Sequence, residues 1–218
     1  ISQPGATLLS YTSTNKNDTD LSSSIGVSAS EINDASFIKF EFIPKSNNIS
    51  FRYLMASEEY EGDYPCNFAD TFAFLLKKDG DSDYQNIALI PNTTTPVSIT
   101  NIHDEINVNG IQVCSAKNKQ YFEGYAIGDT NFNGRTKVLV AKANVIPNQK
   151  YHIKLVVADF RDQDFDTAVF LEKGSFKLGL DLGSDLTIAG NNSVCGTETL
   201  LTSNIESNTY KWFKDDVL

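Results

Sequence analysis

Cysteine, histidine and basic residues are all scarce in this 218-residue chain. It holds three Cys, two His, one Trp and one Met, and 18 Lys and Arg stand against 28 Asp and Glu, a formal charge of −10. Each shortage excludes something. No C-x-x-C pair exists, so the ligand spacing of a structural zinc site is missing. An acidic surface repels phosphate backbones, which removes nucleic acid from the expected partners. No apolar run approaches the roughly 18 residues that cross a bilayer as a helix, so no transmembrane segment is expected. The signatures G-x-S-x-G, G-x-x-x-x-G-K and H-E-x-x-H are absent as well. Ile1 stands where an initiator Met would, with no charged-then-apolar leader before it, so we expect a processed or trimmed piece of a longer chain.

What is present suffices for a core: 40% hydrophobic residues, including 14 Phe and 9 Tyr. Low Lys content beside abundant Thr, Asn and Ser reads as an extracellular surface. Period-two alternation dominates. Ile38, Phe40 and Phe42 interleave with Lys39 and Glu41. Beyond a turn at Pro44 to Asn48, Ile49, Phe51, Tyr53 and Met55 alternate with Ser50, Arg52 and Leu54, and the two runs read as a hairpin. Thr71 to Leu76 is apolar enough for a strand buried on both faces. Thr136 to Ala143 alternates with Val138 and Val140 set against Lys137 and Lys142. Tyr151, Ile153, Leu155 and Val157 oppose His152 and Lys154 in the longest predicted strand. Ala168 to Glu172 and Ser175 to Leu180 complete the set. No stretch keeps helical apolar spacing over ten residues. The predicted fold is all-β, an antiparallel β-sandwich or jelly roll over residues 1–180. Residues 181–218 read as a linker and the N-terminal part of an Ig-like domain, from Cys195 followed by Trp212.

The acids are concentrated. Glu58, Glu59, Glu61, Asp63 and Asp70 lie in one long loop with no cation between them, and Asp159, Asp162, Asp164 and Asp166 follow another strand with only Arg161. The first stretch carries −5 and the second −3, most of the chain's net charge. Clustered carboxylates repel unless a cation neutralises them. Ca²⁺ does this with about six to eight oxygens from carboxylates, carbonyls and water. Glu58, Glu59, Asp70, Asp159, Asp162 and Asp166 are the expected ligands, with Asn67 and loop carbonyls as further donors. The D-x-D-x-D spacing of Asp162, Asp164 and Asp166 lacks the Gly and terminal Glu of an EF-hand. The alternative is a pair of solvated acidic loops. Paired carboxylates also serve glycoside hydrolysis, the alternative activity weighed against binding. His103 in a polar loop and His152 on a polar strand face read as surface residues. Cys66 and Cys114 each lie in one of the two long patternless loops, and a disulfide between them would staple both in an oxidising compartment.

Three sets of residues resemble a known family. They are Ser57-Glu-Glu-Tyr60 with Asp70-Thr-Phe-Ala-Phe-Leu75; Asn86-Ile-Ala-Leu-Ile-Pro91 with Thr95-Pro-Val-Ser-Ile99; and Val138 to Ala143 with Tyr151 to Leu155, Ala158-Asp159, Asp166 to Glu172 and Gly174-Ser-Phe176. In this order, over roughly Ala35 to Leu178, they are similar to the choice-of-anchor L domain of bacterial surface proteins. The first 30 residues are poorly covered, because Leu9-Ser-Tyr-Thr-Ser13 replaces the L-S-T-G-like stretch usual upstream.

The resemblance implies a non-catalytic module of a long, secreted or cell-surface protein of Bacteroidetes type. Such proteins are exported by the type IX secretion system and linked to gliding motility or adhesion. The expected function is therefore extracellular binding of a surface ligand, a glycan or a protein, with loops fixed by Ca²⁺. A passive displayed spacer is the third reading. The resemblance supplies no catalytic residues.

Overall fold

The computed structural model describes residues 17–67, 70–128, 130–161 and 165–178. Along them run α1 (Thr19–Ile25), β1 (Ile32–Phe42), β2 (Asn48–Ser57), α2 (Tyr64–Asn67), β3 (Thr71–Lys78), β4 (Gln85–Asn86), β5 (Ile106–Val108) and β6 (Ile111–Cys114). Then follow β7 (Phe122–Tyr125), β8 (Gly134–Thr136), β9 (Leu139–Asn144), β10 (Tyr151–Phe160) and β11 (Thr167–Leu171). One sheet has the order β1-β10-β3-β4, the other β11-β2-β8-β7 with β9 also on β2, and β5 and β6 form a hairpin of their own. Every strand pairing among the described residues is antiparallel. The predicted all-β sandwich is the fold found. The segment expected to be the N-terminal part of an Ig-like domain, with Cys195, lies outside the described residues, and among the described residues no helix is long and apolar enough to cross a membrane.

Two sheets form because each presents an aromatic face to the other. Phe51 and Tyr53 of β2 meet Phe74 of β3 at ring-centroid distances of 4.9 and 4.7 Å. These rings are buried together with Phe42, Phe72, Ile153 and Leu139 in one core. The hairpin expected from β1 and β2 does not form. Phe40 of β1 lies beside Ile153 of β10, whereas Phe51 of β2 lies beside Ala141 of β9. Residues 43–47 cross between sheets, so the apolar faces of β1 and β2 meet across the core instead of lying side by side. On β1 the alternation holds only at its end: Phe42 is buried, but Ile38 is 61% exposed at the sheet edge. A bulge between Asn33 and Ser36, with Asp34 at φ 49°, shifts the register of that edge.

The face of β9 is also corrected. Leu139 and Ala141 are buried, while Val138 and Val140 stand about half exposed. Ala141 sits opposite Phe51, where a small side chain leaves room for the ring. The predicted strand from Ser175 reduces, over its described residues, to a bridge between Lys177 and Ser50.

β3 is buried on both faces, as its composition predicts. Phe72, Phe74 and Leu76 enter the inter-sheet core, while Ala73 and Leu75 join Leu21, Val156 and Ala158 on the outer side. The cover there is α1, a helix of two turns where none was expected. Asp18 caps it by accepting from the Leu21 N–H at 2.9 Å, and Gly26 ends it at φ 74°, which a residue without Cβ adopts freely. Lys154, read as solvent-facing, is buried under this helix, its Nζ 2.6 Å from Asp18 Oδ2 and 2.8 Å from Asp20 Oδ2.

Candidate functional site

The antiparallel ladders bring four strand ends together. Ser57, last in β2, pairs with Thr167, first in β11, and Thr71, first in β3, pairs with Ala158 near the end of β10. The acids flanking these pairs, namely Glu58, Glu59, Asp70, Asp159 and Asp166, therefore gather at one end of the sandwich. Two hydrogen bonds tie them: Glu59 Oε2 accepts from the Asp70 backbone N–H at 2.6 Å, and the Glu58 N–H donates to the Asp166 carbonyl at 3.1 Å. Asp162 lies outside the described residues.

Four of these acids are shielded from solvent, whereas Glu61 and Asp63 of the first loop are exposed. Glu58 and Glu59 are fully buried, and Asp70 and Asp159 are 1% and 8% exposed. Burying a carboxylate is costly unless hydrogen bonds or a cation compensate. Part of that compensation comes from N–H donors, the Asp70 backbone on Glu59 and a side-chain amide on Glu58. Asn131 Nδ2 donates to Glu58 Oε1 at 3.3 Å, and Ser57 Oγ accepts from the Glu59 N–H while Thr167 Oγ1 donates to it. Two arginines at this end are held elsewhere: Arg161 by Glu31 at 3.1 Å and Arg135 by Glu123 at 2.7 Å. Among the described residues no three Asp, Glu, His or Cys side chains stand together as a metal-holding group. Asn67 is exposed and donates to the Asp63 carbonyl and carboxylate.

Cys66 of α2 and Cys114 of β6 are joined by a disulfide, their Cα atoms 5.9 Å apart. The bond fastens the β5–β6 hairpin to the segment after the acidic turn. His103, expected at the surface, is fully buried. Its backbone pairs with Lys117 in both directions and its Nδ1 lies 2.7 Å from the Asp104 carbonyl, so a polar sequence context conceals an interior position. His152 lies between Glu41 and Asp79, at 3.1 and 2.8 Å.

Between the hairpin and the acidic turn opens a cleft of about 680 Å³, lined by Tyr60, Glu61, Glu105, Asn107, Tyr125 and Asn133 among others. Sequence patterning does not find it, because its walls come from both of the long loops read as patternless. Tyr60 forms its base. Its hydroxyl donates to the Ile102 carbonyl at 2.8 Å, and burial, then the neighbouring Tyr125 and Glu59 charges, push its pKa far up. Its ring lies 4.9 Å from Phe122 and against Gly134, where an added Cβ would fall 2.6 Å from the Tyr60 Cβ and Cγ. Gly134→Ala is therefore expected to cost about 1–3 kcal/mol through overpacking. Urea denaturation measures this, and an unchanged midpoint would mean that the ring is free to shift.

The sequence model of the choice-of-anchor L domain family matches residues 2–177. It thus takes in nearly all of the first 30 residues, which the landmarks alone cover poorly. No curated protein and no solved structure matches the chain.

Proposed function

Because the chain belongs to the choice-of-anchor L domain family, a family of cell-surface modules, we propose that it is a non-catalytic binding or adhesion module of a large secreted bacterial protein. The family match over residues 2–177 is the observation that carries this reading. In it, the parent protein is of Bacteroidetes type, passes through the type IX secretion machinery, serves adhesion or gliding, and continues into Ig-like repeats after residue 180. The Cys66–Cys114 bond supports an oxidising destination. The ligand is a glycan or a protein on another surface.

Adhesion is tested with beads coated with the 218-residue chain and offered to bacterial cells and to insoluble polysaccharides. Retention above that of albumin-coated beads is expected. Coated beads that behave like the control would favour the passive spacer. Hydrolysis of a polysaccharide panel, lost in Glu58→Gln, would overturn the non-catalytic reading in favour of a glycosidase.

The same proposal includes Ca²⁺ at the acidic end of the sandwich. What supports it is the gathering of Glu58, Glu59, Asp70, Asp159 and Asp166 where two acidic loops start and finish. Their oxygens are hard donors of the kind Ca²⁺ prefers. The described carboxylates do not group in threes, so loop carbonyls and Asp162 would complete such a shell. The expected result is a melting temperature several degrees higher in Ca²⁺ than in chelator, since ligand at 100 times its Kd stabilises by about 2.7 kcal/mol. Coincident melting curves would remove calcium from the proposal.

A further inference from the structure

We propose that the cleft over Tyr60 is a binding site for neutral oligosaccharides; this rests on the reading of the chain as a surface-binding module and names its ligand class. The cleft is open to solvent, and its 680 Å³ falls within the roughly 300–1,000 Å³ of small-ligand sites. Its chemistry narrows the ligand. Glu61, Glu105, Asn107 and Asn133 present planar groups that hydrogen-bond adjacent hydroxyls, and Tyr125, 45% exposed, offers a ring to the C–H face of a sugar. Among the described residues no Lys or Arg lines the cleft, so phosphorylated, sulfated or uronic-acid ligands would meet two carboxylates there. Its aliphatic lining among the described residues is limited to Ile106, Val108 and Ala126, a poor anchor pocket for a protein partner.

The polar groups are held before any ligand arrives. Glu105 accepts from Asn107 Nδ2 at 2.9 Å and from Gln112 Nε2 at 3.3 Å. Asn133 Nδ2 donates to the Glu58 carbonyl at 2.9 Å and reaches Glu61 Oε2 at 3.5 Å. Tyr125 rests edge-on against Phe122, with ring centroids 4.9 Å apart, and the hairpin wall is fastened by the Cys66–Cys114 bond. Side chains already ordered lose less entropy on binding. That matters for sugars, whose hydroxyls leave water with little net gain. The Asn133 bond to the Glu58 backbone also links this cleft to the acidic end of the sandwich.

The 218-residue chain is titrated with cellohexaose, xylohexaose, maltohexaose, laminarihexaose, mannohexaose and chitohexaose, followed by amide NMR shifts. Saturable binding of at least one sugar is expected, with shifts at residues 60–62, 105–109, 125–126 and 133. Tyr125→Ala should weaken that binding about tenfold, and Asn107→Ala about threefold, with melting temperatures close to wild type. If no sugar binds, if the shifts map elsewhere, or if both variants bind like wild type, the cleft is not the site. Bead adhesion run in parallel separates the two ideas. Adhesion without sugar binding, abolished when the target surface is treated with protease, means a protein ligand, so adhesion stands and the glycan site falls. Absence of both removes the two together.

Discussion

Reducing the Cys66–Cys114 bond, or replacing it in the Cys66→Ser/Cys114→Ser double variant, is expected to lower stability by about 4 kcal/mol. The bond closes a loop with a sequence separation of 48. In the chain-entropy model, opening a loop of that length returns about this much freedom to the unfolded state. For a domain of this size the melting temperature should fall by roughly 10 °C. The loss should concentrate where the bond acts. Within the disulfide-closed segment, β5 and β6 pair, among the described residues, only with each other and lie outside both main sheets. Limited proteolysis of the reduced protein should therefore cut between residues 104 and 118 before it cuts the sandwich. A reduced protein that melts within about 2 °C of the oxidised one would show that the hairpin holds through its own contacts.

Lys154→Met should produce a loss of similar size for a different reason. The Lys154 side chain is 8% exposed and that of Asp18 5%, with Nζ within 2.8 Å of both Asp18 and Asp20. Removing one partner of a buried pair strands the other charge, at a cost of about 3–5 kcal/mol. Asp18 cannot easily turn to water, because one of its oxygens also caps α1. Asn at position 18 keeps that cap without the charge. The double variant Lys154→Met/Asp18→Asn should thus recover much of the stability lost in the single one. Chemical denaturation of all four proteins measures the coupling, and additive losses would mean that the pair is not a unit. Burial depresses the Lys154 pKa, but its hydrogen bonds and attraction to Asp18 and Asp20 outweigh this and raise it overall. A raised lysine contributes its full stability below its unfolded pKa of about 10.4 and loses it as pH rises through the higher folded value. The contribution should therefore be flat across neutral pH and disappear only in strong alkali.

The sandwich was legible wherever one strand carried its own answer. Thr71 to Leu76 is apolar at five of six positions, so burial on both faces follows from composition alone. Pairing was less legible, since short separation between β1 and β2 suggests a hairpin, while the decisive contacts are with β10 and β9 far along the chain. The face of β9 depended on its partner too. Val140 is the more apolar residue, but Ala141 is the one that fits against Phe51. At seven residues α1 is too short for helical periodicity to register, and only Asp18 and Gly26 mark its ends. At the site, the acids could be read as neighbours of strand ends. Their burial could not, nor that of His103 between Ile102 and Asp104, because burial comes from segments that arrive from elsewhere.

The bulge on β1 has a consequence for the open edge of its sheet. Beyond β1 no further strand pairs among the described residues, and Phe37 and Ile38 are 58% and 61% exposed along it. A flat apolar edge of that kind would recruit a second molecule and seed aggregation. Asp34 at φ 49° and the shifted register from Asn33 to Ser36 twist the edge away from straight pairing, and Lys39 and Glu41 add charge beside the apolar pair. Bulge and charge together disfavour straight edge-to-edge pairing along β1, a protection written into the backbone.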